Sequence, residues 1–388
     1  MHPTIAARMR DIQPFHVMEL MRRAHELEAQ GRDIIHMEVG EPDFPSPSPV
    51  IEAATRFLAR GQVPYTSALG LPALREAISG FYREHLRTHV PPERIIVTPG
   101  ASGALMLTLA ATTNPGSEWL IPDPSYPCNR HLVRSFEGIT RAVPVDADTR
   151  FQPTPDQVAA AWTPATRGLM VATPSNPTGT LLNTEELVAL GATCRERGGL
   201  LLVDEIYQGL TYGVDASTVL THVDDAFVIN SFSKYFGMTG WRLGWLVAPE
   251  SHVREIEKLA QHFFISPSTP AQHAALAAFE PDTLAILEQR RAAFAERRAF
   301  LVPALRKLGF GIHTEPQGAF YVYADVTGLA PDSETLARRL IEEAGVATTP
   351  GLDFGSHHAR AHLRIAYTTD TARLAEAVER IAHVLGRS

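Results

Sequence analysis

The feature that most constrains this chain is a series of short, uninterrupted apolar segments. Each ends in a polar loop and most lead into a helix-like stretch. "ERIIVT" (93–98) is followed by "ASGALMLTLAATT", "SEWLIPD" (117–123) by "CNRHLVRSFEG", and "TRAVPVD" (140–146) by "PDQVAAAW". "RGLMVAT" (167–173) is followed by "TEELVALGATCRERGG", and "LLLVD" (200–204), "AFVIN" (226–230) and "RLGWLVAPE" (242–250) complete the series. A strand without a polar face has to be covered on both sides, which is the condition of a mostly parallel sheet between two helical layers. The reading is α/β: a seven-stranded, mostly parallel sheet with helices on both faces, in a large domain spanning residues 46–275.

Beyond residue 275 the texture changes. A long helical stretch (Ala271 to Leu308, broken near Pro281) leads into "GFGIHTEPQGAFYVYADV". The helix "SETLARRLIEEAG", the strand "HLRIAYTT" and a last helix "TARLAEAVERIAHVLG" follow. This is a smaller α+β domain, 276–388. At the other end, "PFHVMELMRRAHELEAQG" spaces apolar residues as an amphipathic helix that stops at Gly31, and "DIIHMEVG" reads as a strand. Residues 1–45 are expected to form an N-terminal arm and to pack with the C-terminal domain, and Ser48 and Pro49 to be the N-cap and first position of the next helix.

A net charge of −8 argues against nucleic acid or an anionic membrane as the main partner. The two cysteines, Cys128 and Cys194, have no metal-ligand spacing, so neither a disulfide scaffold nor a metal site is expected and a cytoplasmic location fits. No signal peptide and no run long enough to cross a bilayer is expected.

In an open parallel sheet, ligands bind outside the carboxyl ends of the strands, so the loops there carry the chemistry. "PGASGAL" (99–105) is a Gly-rich turn opening a helix, either a plain connection or an anion cradle. Asp204 ends a buried strand; it is either paired with an Arg or helix-capping, or a counter-charge for a protonated ring nitrogen, with Tyr207 in reach of the same ligand. Asn176 in "TPSNPTG" is a turn residue or an amide held at the crevice. Arg364, alone in the apolar "HLRIAYTT", is a structural ion pair or a clamp for a planar carboxylate.

Lys234 in "SFSKYFGMTGWRLGW" stands out by composition. Of 35 basic residues only Lys234, Lys258 and Lys307 are Lys. A desolvated Lys can lose its proton and act as a nucleophile, whereas Arg cannot. A primary amine at a sheet edge, beside Ser231, Ser233 and Arg242, reads as chemistry, while Lys258 and Lys307 sit in ordinary helical charge patterns.

In order and spacing, "VGEPDF" (39–44), "YTSALGLPALREAI" (65–78), "PGASGAL", "DPSYP" (123–127), "SNPTG" (175–179), "VDEIY" (203–207), "SFSKYFGMTGWRLG" (231–244) and "RIAY" (364–367) resemble the class I/II aminotransferases of the aspartate aminotransferase superfamily, which are fold type I pyridoxal 5'-phosphate enzymes. The resemblance implies that Lys234 holds the cofactor covalently and carries the proton between substrate and cofactor, while Asp204 keeps the ring nitrogen protonated. It implies that Tyr207 and Asn176 bond the ring oxygen, that Tyr126 stacks on the ring, and that Ala101, Ser102, Ser231, Ser233 and Arg242 hold the phosphate. Tyr65 is implied to reach the cofactor of a neighbouring subunit, hence a homodimer with shared sites. Arg364, with Gly40 and Asn176, is implied to hold the substrate α-carboxylate.

One departure bears on substrate. Some aspartate-preferring relatives carry a Lys in a "GGKQAL" pattern where this chain has Ser102, so a neutral or hydrophobic amino donor is expected over aspartate. "PGLDFG" (350–355) is assigned to the substrate entrance, and Phe15, His16, Met18 and Phe354 are candidates for lining the side-chain pocket or for packing. The main expectation is a ping-pong aminotransferase acting on an amino acid and a 2-oxo acid. A C–S β-lyase on the same fold is the alternative. A cofactor-binding regulatory domain is disfavoured, because the sheet domain starts near residue 46 and leaves no room for a DNA-binding domain.

Overall fold

The computed structural model describes residues 5–14 and 16–387. The strands, in chain order, are β1 (Ile35–His36), β2 (Ile95–Thr98), β3 (Glu118–Asp123), β4 (Ile139–Pro144), β5 (Thr166–Ala172), β6 (Leu200–Asp204), β7 (Phe227–Ser231), β8 (Gly244–Val247), β9 (Tyr321–Asp325), β10 (Val346–Ala347), β11 (Thr349–Pro350) and β12 (His362–Ala366).

The seven expected apolar strands form one sheet, ordered β2-β8-β7-β6-β5-β3-β4. All its neighbours are parallel except those of β8, which runs antiparallel to both β2 and β7. The chain turns back at 232–243 without a crossover helix, and a parallel strand there would need one. Period-two alternation then sorts each strand's side chains. Val97, Leu120, Val171, Val203, Val228 and Val247 face one hydrophobic core, and Ile96, Ile121, Met170, Leu202, Ile229 and Leu246 face the other. Both faces of the sheet are buried except at the edge strand β4, where Val143 is buried but Ile139 is 50% exposed.

Local signals set several helix starts. Asn183 and Glu186 form a capping box for the helix Thr184–Glu196, and Thr154 and Gln157 form another for Pro155–Ala161. The expected break at Pro281 is present: Thr269–Leu276 and a short 3-10 turn precede the helix Pro281–Lys307. Three expectations shift. The helix Ser48–Leu58 begins one residue early, with Pro47 at its N-cap and Ser48 inside the first turn, because Pro47 already has extended backbone there. "DIIHMEVG" keeps only two strand residues, since its only partner is the two-residue β10. The helix Ser333–Arg339 ends in a π turn, Leu340–Ala344, closed by Gly345 at φ +65°.

The two chain ends meet. β1 pairs with β10, and Ala24, Leu27 and Ile34 pack on Ile341 and Ala347. Arg23 forms a two-pronged ion pair with Glu342. A three-stranded antiparallel sheet, β11-β12-β9, completes this part. Among the described residues no helix is long and apolar enough to cross a membrane.

Candidate active site

A cavity of about 300 Å³ lies at the carboxyl ends of β5, β6 and β7, against β12 and the N-terminal helix His16–Ala29. Gly40, Ala101, Ser102, Tyr126, Asn176, Asp204, Tyr207, Ser233, Lys234, Arg242 and Arg364 all line it. Two sequence-predicted residues do not. Ser231 is buried one layer behind, its hydroxyl donating to the Leu243 carbonyl at 3.0 Å and to Ser233 Oγ, so it buttresses Ser233. Tyr65 is 81% exposed and away from its own chain's cavity. Met18 and Phe354 line the cavity; Phe15 and the side chain of His16 lie outside the described residues.

Lys234 follows the end of β7 by three residues. Its Nζ donates to the Gly40 carbonyl at 2.6 Å. Burial pushes the amine down to about 8, and the guanidinium groups of Arg364 and Arg242 add to that; Glu41 and Asp204 oppose it. The other lysines behave as surface charges: Lys258 pairs with Glu255 at 2.7 Å, and Lys307 closes the helix Pro281–Lys307.

Asp204, the last residue of β6, is 6% exposed. Its Oδ1 accepts the Ile206 N–H at 3.0 Å, and no Arg, Lys or His among the described residues pairs with it. Burial therefore raises its carboxyl to about 6, against the pull of that N–H and of Lys234. Neither an Arg pair nor a helix cap accounts for this residue. A buried carboxylate so placed is suited to a ligand cation.

The anion end is equally explicit. Gly100 opens the helix Gly100–Thr112 at φ +71°, a backbone that favours Gly, and a Cβ there would fall 2.6 Å from Arg242 Nη2. Gly244 has no room for a side chain either, since a Cβ would meet Ala101 N at 2.9 Å. The first turn of this helix thus presents Ala101 and Ser102 beside Ser233 and Arg242, with free N–H groups and the positive end of the helix dipole.

Arg364, on β12, is 5% exposed. It donates to Asn176 Oδ1 at 3.0 Å, to the Glu38 carbonyl at 2.5 Å and to Thr349 Oγ1 at 3.3 Å. Its Nε has no partner, and no carboxylate among the described residues pairs with it. A buried guanidinium without an anion is a ready receptor for one.

The sequence reading missed Tyr321, on β9. Its hydroxyl bonds that of Tyr207 at 2.8 Å, its ring lies 4.4 Å from the Arg364 guanidinium, and it lines the cavity. Burial drives the Tyr207 phenol well above its ordinary range, so it stays a neutral donor. Within "GAFYVYADV" Tyr321 looks like any core aromatic; only Gly40, where a Cβ would strike its hydroxyl, marks it out.

In one cavity, then, an amine, a buried carboxylate, an anion cradle and a carboxylate receptor converge. The family profile "Aminotransferase class I and II" matches residues 32–381. The chain is similar to a valine–pyruvate aminotransferase of Mycobacterium tuberculosis, 36% identical over 372 residues that cover 95% of this chain and 96% of the relative. It is equally similar to an aspartate/prephenate aminotransferase of Thermus thermophilus, 36% identical over 99% of both chains. A crystal structure of an aminotransferase from Mycobacterium tuberculosis superposes with a TM-score of 0.95 at 35% identity over the full length of both chains. The chain belongs to the class I and II aminotransferase family and is an aminotransferase of that fold.

Proposed function

We propose that this enzyme transfers the amino group of a neutral or hydrophobic amino acid to a 2-oxo acid, using pyridoxal 5'-phosphate bound in the cavity described. The observation that carries the reading is that two buried charges, Asp204 and Arg364, neither with an ion-pair partner among the described residues, line the same cavity as Lys234.

The residues fit the cofactor. Asp204 offers a carboxylate to a protonated ring nitrogen, Tyr207 and Asn176 offer hydrogen bonds, and Tyr126 lies at the cavity wall where a ring would stack. The first turn of Gly100–Thr112, Ser233 and Arg242 hold the phosphate, with Ser231 supporting Ser233. When bound, pyridoxal phosphate supplies an electron sink for charge developing at the substrate Cα. Lys234, deprotonated more readily than an ordinary lysine, would take the proton from that carbon and carry it to the cofactor, and in the half-reaction with the oxo acid would carry it the other way. Arg364, with the Gly40 segment and Asn176, fixes the α-carboxylate, and one clamp serves amino acid and oxo acid in turn, as a ping-pong order requires.

The side-chain end of the cavity supports a neutral donor. Val17, Met18, Met21, Leu105, Ile206 and Phe354 are apolar residues of the cavity lining, and Lys234, Arg242 and Arg364 are the cavity's only cations among the described residues, each with another role in this reading. Tyr65 supports a homodimer. It sits on a segment held by Thr269 Oγ1 on the Pro64 carbonyl, and its exposed ring is free to enter a second subunit's site. In this reading the chain divides at residues 45 and 275, with Arg364 in the smaller part and Lys234, Asp204 and the phosphate-binding turn in the larger.

The test is a visible-absorption titration of the purified enzyme with single amino acids and no oxo acid. Loss of the cofactor band with leucine, valine or alanine, and a weaker response to aspartate, is expected. A response to aspartate alone overturns the donor class. Steady release of a thiol, pyruvate and ammonia from a cysteine S-conjugate, with no oxo acid present, makes the enzyme a C–S lyase.

A further inference from the structure

The loop that follows "PGLDFG" lies between the two parts of the molecule, and its contacts are unusual for a surface connection. We propose that Asp123 is a positioning residue for the carboxylate clamp: it latches residues 354–357 to the large sheet, and through Phe354 holds Arg364 in place. The inference rests on Arg364 being the clamp.

Asp123 ends β3 and is 7% exposed. A carboxylate this deep has to be compensated, yet no cation pairs with it among the described residues. Its oxygens instead accept from the loop. The Ser356 N–H reaches both at 3.0 Å, Ser356 Oγ donates at 2.8 Å and the His357 N–H at 3.2 Å. A Cβ at Gly355 would land on the carboxylate, so the approach depends on that glycine. Two more bonds hold the same loop to the same side: Ser125 N–H to the Phe354 carbonyl at 2.8 Å, and Arg130 Nη2 to the Asp353 carbonyl at 2.7 Å.

The loop's other side meets the clamp. The Phe354 ring lies 4.8 Å from the Arg364 guanidinium. An aromatic ring restrains a guanidinium without consuming its N–H donors, and the Arg364 Nε has no other partner. Asp123 therefore adds, through Phe354, to the hydrogen bonds that orient Arg364, and does so without occupying its Nε. The strand it ends belongs to the large sheet and Arg364 belongs to the small one, so the latch ties the clamp to the cofactor side.

The experiment measures binding of 4-methylpentanoate, a carboxylate without an amine, to the pyridoxal phosphate-loaded enzyme by perturbation of its visible band. Asp123→Ala should weaken binding about tenfold, and Ser356→Ala, which removes one donor and keeps the charge, about threefold. KM for amino acid and oxo acid should rise together, with kcat and the visible band nearly unchanged. In an Arg364→Leu background, Asp123→Ala should add no further loss. Parental affinity in both Asp123→Ala and Ser356→Ala, or a loss that adds in full to that of Arg364→Leu, overturns the latch. If Arg364→Leu itself binds the carboxylate as the parent does, the clamp reading fails, and the latch with it.

Discussion

Two regions meet in the active site, and they are built in different ways. The wall proposed to hold the cofactor is a rim at the carboxyl ends of β5, β6 and β7 and of β2, which lies beyond the antiparallel β8: Asp204 closes β6, and Lys234 follows β7, Asn176 β5 and Ala101 β2. Each residue comes to the rim because its own strand ends there. The clamp wall has no such rule. Arg364 is held by the Glu38 carbonyl, Asn176, Thr349, Tyr321 and Phe354, which come from both ends of the chain and its middle. The second wall owes its shape to several remote segments arriving together.

The largest expected effect lies on the rim. Lys234→Ala should lower kcat about a thousandfold or more, because no other amine lines the cavity among the described residues. A loss below tenfold would move the proton-transfer role elsewhere. Borohydride reduction of the loaded parent should place the label at Lys234 and leave Lys258 unmodified.

Asp204→Asn should lower kcat about a hundredfold to a thousandfold while substrate binding changes little. The same variant sharpens the comparison without any ligand. Burial lifts this carboxyl from its ordinary 3.8 to about 6. Its raised folded-state value means that proton binding favours the fold. That contribution is complete below about pH 4 and lost as the pH rises through about 6, and is on the order of 3 kcal/mol. In urea unfolding of the cofactor-free protein, Asp204→Asn should therefore be more stable than the parent at pH 8, with the difference closing toward pH 4. A difference that does not vary with pH would mean that Asp204 is already compensated.

Arg364→Leu should act on the other wall, lowering kcat/KM about 30-fold to 100-fold, chiefly through KM. A pure kcat effect, with KM intact, would erase the distinction between the walls. The smallest effect is expected for Tyr321→Phe. It removes one neutral hydrogen bond to Tyr207 and keeps the ring against Arg364, so kcat/KM should fall about twofold to tenfold. A larger loss would give that hydroxyl a direct part in the chemistry.

The same contrast explains what could be read in advance. Lys234, Asp204 and Asn176 were legible because a polar residue at the end of an apolar strand is costly, and its position in the sheet follows from the strand. The antiparallel β8 was not legible as such, since the same apolar run serves either direction. Ser231 and Ser233 were indistinguishable in the motif, but pleat and turn put one behind the other. Tyr321 was hidden because a tyrosine in a buried strand is equally a core residue, and Glu38 contributes to the clamp through its backbone carbonyl, which any residue carries.

By itself the sequence determined the mostly parallel sheet, the loops at its rim and the one of three lysines that stands at a strand end, because apolar periodicity and residue chemistry are local properties. The tertiary structure alone decided that Asp204 and Arg364 have no counter-ion among the described residues, that Tyr321 joins Tyr207, and that the loop bound by Asp123 reaches Arg364. Those outcomes depend on which distant segments share a few ångströms of space, and burial and charge compensation are set only when those segments pack.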